Sequence, residues 1–222
     1  MGSLNDIVNT LFGESTQTVD IVILLTILTL LPSILLMLTG FTRILIILGF
    51  VRNALGMQQT PPNQVLIGLA LFLTFFVMAK PFDQIYNEAY TPFTEGEITQ
   101  EEFLDKAMGP LREFMSDQVY RSDIDFFVSL TDQEIDDVDD APMSVLIPAF
   151  ITSEIKNAFW IGFLIYIPFI VIDMIVASTL MAMGMMMLPP AMISLPFKVL
   201  LFVMVDGWQL IIGTLLQSFN YN

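Results

Sequence analysis

Ala158-Phe-Trp-Ile-Gly-Phe-Leu-Ile-Tyr-Ile-Pro-Phe-Ile-Val-Ile-Asp173-Met-Ile-Val-Ala-Ser-Thr-Leu-Met181-Ala-Met-Gly-Met-Met-Met-Leu-Pro-Pro190 is apolar almost throughout, with one charge inside it. Asp173 divides it into two runs of 15 residues, Ala158–Ile172 and Met174–Leu188. A plain membrane-spanning helix needs about 20 apolar residues. Pro168 interrupts the first run and removes a backbone donor. In lipid, a broken helix survives only where protein or a water-filled cavity satisfies the freed backbone groups. The stretch therefore predicts an all-α, integral-membrane-type protein with broken, kinked apolar helices. Much of its apolar surface is expected to pack against other protein chains.

Three further regions read the same way. One runs from Ile21 to about Gly40 and on past Arg43 to Val51, with Pro32 inside it. A second is Val65–Ala79, again 15 residues, and a third runs from Ala191 to about Leu216 with Pro196, Lys198 and Asp206 inside it. Only the first is long enough to span by itself. A monomer of four plain spans is the simpler alternative. An ionised side chain at the bilayer centre costs roughly 2.5–3.5 kcal/mol even on the milder insertion scale. Asp173, Lys198 and Asp206 all lie in apolar sequence, which invites a pairing of Asp173 with Lys198, within one chain or between neighbours. The alternative is that such a group lies near an interface and reaches water along its own stem.

The remaining composition is lopsided. Of the 222 residues, 55% are apolar and 14% charged, and the mean hydropathy is +0.73. Of the 23 acids, 17 lie between Pro81 and Asp140, offset there only by Lys106, Arg112 and Arg121. The net charge of −15 thus belongs to one polar insert. Nucleic acid is excluded as a partner, because phosphate binding needs clustered Lys and Arg. The chain has neither Cys nor His, which removes thiolate and imidazole catalysis and the usual zinc ligand sets. Glu154, Asp173 and Asp206 have no nucleophile or cofactor motif beside them, and there is no P-loop. No catalytic residue, cofactor or metal site is assigned, and the chain is not read as an enzyme.

Three segments follow: residues 1–80 with apolar helices and a loop, the acidic insert 81–141, and the apolar residues 142–222. Arg43 and Arg52 precede the loop Gln58-Gln-Thr-Pro-Pro-Asn-Gln64, which favours the cytoplasmic side for that loop and the outer side for the insert. The start Met1-Gly-Ser lacks a charged leader region, so any signal peptide would already have been removed.

Within the insert, Thr99-Gln-Glu-Glu102 predicts a capping box, followed by Phe103, Leu104, Ala107 and Met108 on one helical face. Gly109-Pro110 is expected to stop that helix and open the next, with Leu111, Phe114, Met115 and Val119 as its apolar stripe. Asp132–Asp140 reads as a solvated acidic loop, since it lacks the glycine and final Glu of a calcium loop. Two diprolines, Pro61-Pro62 and Pro189-Pro190, should each open a helix after a sharp loop, with Thr60 available to cap the first. Their parallel suggests an internal repeat without establishing one.

Five of the seven residues from Met181 to Met187 are methionine. Methionine is flexible and polarizable, so such a cluster is a soft surface that repacks around different shapes, suited to a deformable seal; it also serves as filler in an irregular helix–helix core. Thioethers suit Cu(I) as well, which leaves a copper or small-cation transporter as an alternative. A non-conducting membrane scaffold is another.

Several stretches resemble the FliP family of flagellar type III secretion, called SctR in the virulence branch. They are Phe41-Thr-Arg-Ile-Leu-Ile-Ile-Leu48, Arg52-Asn-Ala-Leu-Gly-Met-Gln-Gln-Thr-Pro-Pro-Asn-Gln-Val-Leu-Ile-Gly68, Leu146-Ile-Pro-Ala-Phe-Ile-Thr-Ser-Glu-Ile-Lys156, Ile172-Asp-Met-Ile-Val-Ala-Ser178, Met183-Gly-Met-Met-Met-Leu-Pro-Pro190, Ile193-Ser-Leu-Pro-Phe-Lys198 and Asp206-Gly-Trp208. The long insert looks like the flagellar branch. The resemblance implies five copies assembling helically with FliQ and FliR, and with a FlhB-type switch protein nearby, into a pore for unfolded export substrates. It implies a location in the bacterial inner membrane at the flagellar basal body, with the insert periplasmic. It places a channel gasket at Met183, Met185, Met186 and Met187. Under that reading Asp173 and Lys198 are expected to lock subunits together.

Overall fold

The computed structural model describes residues 22, 25, 26, 29, 36–57, 59–131, 138–185 and 187–219. Most of the first apolar region, most of the acidic run Asp132–Asp140, and Met186 of the expected gasket lie outside the described residues. The chain divides into two compact units, Met1–Met37 and Leu38–Asn222. In the first, Val22, Leu25, Thr26 and Thr29 are helical. There the Thr26 hydroxyl donates to the carbonyl of Val22 at 2.7 Å.

The second unit runs α1 (Phe41–Ala54), α2 (Asn63–Val77), α3 (Ala79–Ile85), a π-helical turn (Tyr86–Tyr90) and α4 (Thr91–Thr94). It continues with α5 (Gln100–Gln118), α6 (Arg121–Val128), a 3₁₀ turn (Val138–Asp140), α7 (Met143–Ala182), α8 (Pro190–Met204) and α9 (Gly207–Gln217). No strand occurs among the described residues, so the fold is all-α, as the apolar runs predict.

The apolar run Ala158–Pro190 behaves differently from expectation. It does not break at Pro168 or at Asp173. Both lie inside α7, a single helix of 40 residues, about 60 Å long at 1.5 Å per residue. Asp173 is accommodated because its carboxylate finds partners on α8. Pro148 and Pro168 each remove one backbone bond, a local defect that a long, packed helix tolerates. The breaks fall elsewhere. The helices from Asn63–Val77 and Ala79–Thr94 bend by 61°, and α8 and α9 by 66°. By length and composition α7 is able to cross a membrane alone, and each bent pair qualifies as one further, broken span.

α1 lies along α7 and supplies the centre of the packing, with Ile44, Ile47, Leu48 and Val51 fully buried. The contact is close because Gly162 of α7 faces the Phe50 ring; a Cβ there would sit 2.5 Å from it. The insert helices cover the first turns of α7. Met115 of α5 and Ile124 of α6 join Leu38, Ala141, Val145, Leu146, Ala149 and Phe150 in one cluster.

In the insert the capping box forms as predicted: the Thr99 hydroxyl receives the Glu102 N–H, and the Glu102 carboxylate receives the Thr99 N–H at 2.8 Å. The expected stop at Gly109-Pro110 does not occur. α5 continues through both residues to Gln118. Pro110 is buried, while Lys106, whose carbonyl loses its donor, is exposed and open to water. Burial thus outweighs one lost backbone bond. The diprolines also differ from one another. Pro190 is the first residue of α8. Pro62 instead stands at the cap position of α2 in extended conformation, so Thr60 does not cap that helix. Arg52 braces the loop instead, donating to Asn63 Oδ1 at 2.5 Å and to the Pro61 carbonyl at 3.4 Å.

Candidate functional site

The methionine loop is shaped by how α7 ends. Met183 closes the helix, and Gly184 follows in the left-handed region at φ 74°. The N–H of Gly184 reaches the carbonyl of Met181, and the N–H of Met185 reaches that of Leu180, each at 3.0 Å. This double closure satisfies two end carbonyls and requires a residue that tolerates positive φ, which glycine supplies. Pro189 and Pro190 then restart the chain as α8. The loop is therefore a defined reversal between two helices.

Its described methionines face outward. Met181, Met183 and Met185 are about half exposed, and Met187 is 99% exposed. Elsewhere the chain does use methionine as core, at Met78 and Met115, both fully buried. Met181, Met183, Met185 and Met187 thus fill no core within this single chain.

Asp173 and Lys198 meet within one chain. Lys198 Nζ donates to Asp173 Oδ2 at 2.6 Å, and Ser194 Oγ donates to Oδ1 at 2.5 Å. Lys198 is almost wholly buried, whereas the Asp173 side chain is 37% exposed. Ser194 and Lys198 stand one helical turn apart on α8, so both reach the same carboxylate. The pair ties α8 to α7 just beyond the methionine loop. Between it and the loop lies an apolar cavity of about 440 Å³ lined by Ile172, Ile175, Thr179, Met183, Ile193 and Phe197. The third charge, Asp206, is not buried. Within the chain it is exposed at the corner between α8 and α9.

A second polar centre was not legible in the sequence. Arg43, read there as a loop-flanking charge, lies inside α1 and is 1% exposed. It forms a bidentate pair with Glu154 of α7, donates to Gln118 at 3.1 Å and to the Ser218 carbonyl at 2.7 Å, and stacks 4.0 Å from the centre of the Phe219 ring. Arg43 therefore serves packing, and of the two basic residues only Arg52 borders the loop that the orientation argument used. A neighbouring set links the insert to α7. Ser153 receives the Tyr120 N–H at 3.0 Å and donates to Asp123 at 2.7 Å, while Lys156 pairs with Asp123 and Tyr120 with Asn157. The only available signal was the spacing of Ser153, Glu154, Lys156 and Asn157 on one helix; their partners are far away in sequence.

With this geometry in place, comparison with known proteins decides the family. Residues 24–215 match the FliP family. The chain belongs to the FliP family. Over 209 residues it is 55% identical to the flagellar biosynthetic protein FliP of Pectobacterium carotovorum subsp. carotovorum, covering 93% of this chain and 81% of that one. It is 51% identical over 222 residues to FliP of Bacillus subtilis (strain 168), covering 97% of this chain and all of the other. FliP of Aquifex aeolicus (strain VF5) is 44% identical over 211 residues, with 94% and 88% covered. The FliP match contains every stretch on which the resemblance was first drawn, together with α1–α9 up to Leu215.

Proposed function

We propose that this chain is a core subunit of the flagellar protein export gate, and that unfolded substrates pass through a central channel narrowed by its methionine loop. The observation that carries this reading is the loop itself: a sharply closed helix end presents Met183, Met185 and Met187 outward, on a base fixed by the Asp173–Lys198–Ser194 tie. An unfolded chain offers side chains of every size. Flexible thioether arms part around each and close behind it, and an apolar constriction resists ions when empty.

Five copies would assemble with FliQ and FliR, beside a FlhB-type switch protein, in the bacterial inner membrane at the basal body, with the acidic insert in the periplasm. In this assembly Asp173 and Lys198 act first as a tie within each subunit, between α7 and α8, since they satisfy one another there. Replacing Met185, Met186 and Met187 together by Ala tests the seal. Small-ion leak through the reconstituted gate should rise at unchanged assembly; unchanged conductance would sink the constriction.

A further inference from the structure

The corner between α8 and α9 has a feature that the export reading leaves unused. Only Val205 and Asp206 separate the two helices, which bend by 66° there. Asp206 adopts φ 51°, ψ 52°, and is the one non-glycine residue with positive φ among the described residues. An L-residue in this region brings its Cβ against the backbone; Asp tolerates it better than most, and only Gly does so freely. The Asp206 side chain does not cap α9, so the first N–H groups of that helix lack a side-chain acceptor. Were Asp206 to return to right-handed geometry, α8 and α9 would join as one helix. The N–H groups of Gly207, Trp208 and Gln209 would then meet the carbonyls of Val203, Met204 and Val205. Local preference thus favours the straight form, and the bend is held by tertiary contacts.

Those contacts centre on Phe202. A Cβ at Gly207 would lie 2.4 Å from its ring. Trp208 meets it edge-on at 5.4 Å, and Phe169 of α7 lies at 6.5 Å. Space flanks the ring on both sides. One apolar cavity of about 410 Å³ is lined by Phe169, Leu210 and Ile211, and another of about 240 Å³ by Met57, Pro61 and Val199; Phe202 borders both. Within the single chain the ring is packed on Gly207 and Trp208, with open space on its flanks.

The geometry points to a hinge at Val205–Asp206, bent in this structure and able to straighten, with Phe202 as its pivot and the Asp173–Lys198 pair as its latch. α8 is the lever. From Asp206 to Pro190 it measures about 24 Å, so each 10° of rotation carries the end of the methionine loop about 4 Å. Rotation of α8 away from α7 must part Lys198 from Asp173. The consequence for the channel rests on the export-gate reading; the hinge itself does not.

The chain contains no cysteine, so Met192→Cys and Gln217→Cys place two unique spin labels on the exposed faces of α8 and α9. Double electron–electron resonance on the assembled, detergent-extracted protein, with labelled chains diluted among unlabelled ones, reads the bend directly. Asp206→Gly, which relieves the backbone, should raise the ratio of bent to straight by about fivefold, and Asp206→Ala should lower it by about fivefold. Gly207→Ala, which drives a methyl into the Phe202 ring, should also lengthen the distance. The same single distance in the parent, Asp206→Ala and Gly207→Ala overturns the hinge. If those two variants fail to assemble, Asp206→Gly decides: a narrower distribution at the bent distance supports the hinge, and an unchanged or longer one overturns it. Ion leak separates the two readings. A longer distance with greater leak in Asp206→Ala makes the hinge a gate. A longer distance without leak leaves the hinge standing and removes the methionine constriction.

Discussion

At the scale of single residues, the Arg43–Glu154 centre shows what a buried pair does. Both side chains are withdrawn from solvent, and the Arg43 guanidinium reaches three separate places: α7, α5 and the turn after α9. Withdrawing two ions from water is expensive, and their attraction offsets this only when the remaining donors are also matched. Here Gln118, Ser218 and the Phe219 ring match them. Removing one partner strands the other as a buried charge. Arg43→Ala or Glu154→Ala should therefore lower stability by about 3–5 kcal/mol, measured as a fall in unfolding temperature of the detergent-extracted protein. Arg43→Met with Glu154→Leu should recover most of that loss. If the double variant is no better than either single one, the centre acts through something other than stranded charge.

At the scale of elements, some helix ends were legible and helix continuity was not. The capping box at Thr99 was readable because all its parts lie within four residues. The Glu102 carboxyl is held below the usual carboxylate range, first by the Thr99 backbone N–H and then by the Thr99 hydroxyl, with a smaller contribution from Lys106. A depressed folded pKa stabilises the helix start above the unfolded value, and this contribution is lost as pH falls through the folded value. Protection of the Thr99 amide, its exchange rate relative to the intrinsic one, should therefore fall on acidification. In Glu102→Gln exchange should follow only the intrinsic chemical rate, and an identical pH profile in both proteins would count against the capping carboxylate. Continuity depends on partners that spacing does not reveal. Asp173 fails to break α7 because Lys198, 25 residues on, accepts the burden of its charge. Pro110 fails to end α5 because it is buried at the contact with α3. The Arg43–Glu154 centre spans 111 positions and could not be found from either residue alone. The methionine loop was the opposite case. Its composition, its glycine and its closing prolines all lie within one short stretch, so its place and sharpness could be read directly.

At the scale of the whole molecule, the exposed apolar surface is the fact to be explained. In the most apolar window of α7 only 11% is buried within the chain. Phe72, Phe75 and Phe76 of α2, Trp160 and Phe163 of α7, and Phe197, Val203 and Met204 of α8 are all more than half exposed. Lipid would cover an ordinary span, but the two bent pairs leave helix ends and freed backbone groups in the middle of apolar sequence, which lipid cannot satisfy. Neighbouring protein can, by presenting its own donors and acceptors and by excluding lipid from the corners. A heterologous, head-to-tail contact would repeat the same faces from copy to copy without having to close, leaving room for other gate subunits in the series. The native mass of the detergent-extracted protein tests this. On the proposed export-gate reading, the protein expressed alone should give a discrete species near five copies, and with FliQ and FliR a larger one. A monomer or dimer under both conditions would mean that lipid and detergent suffice to cover these faces, and would remove the basis for a channel assembled from several chains.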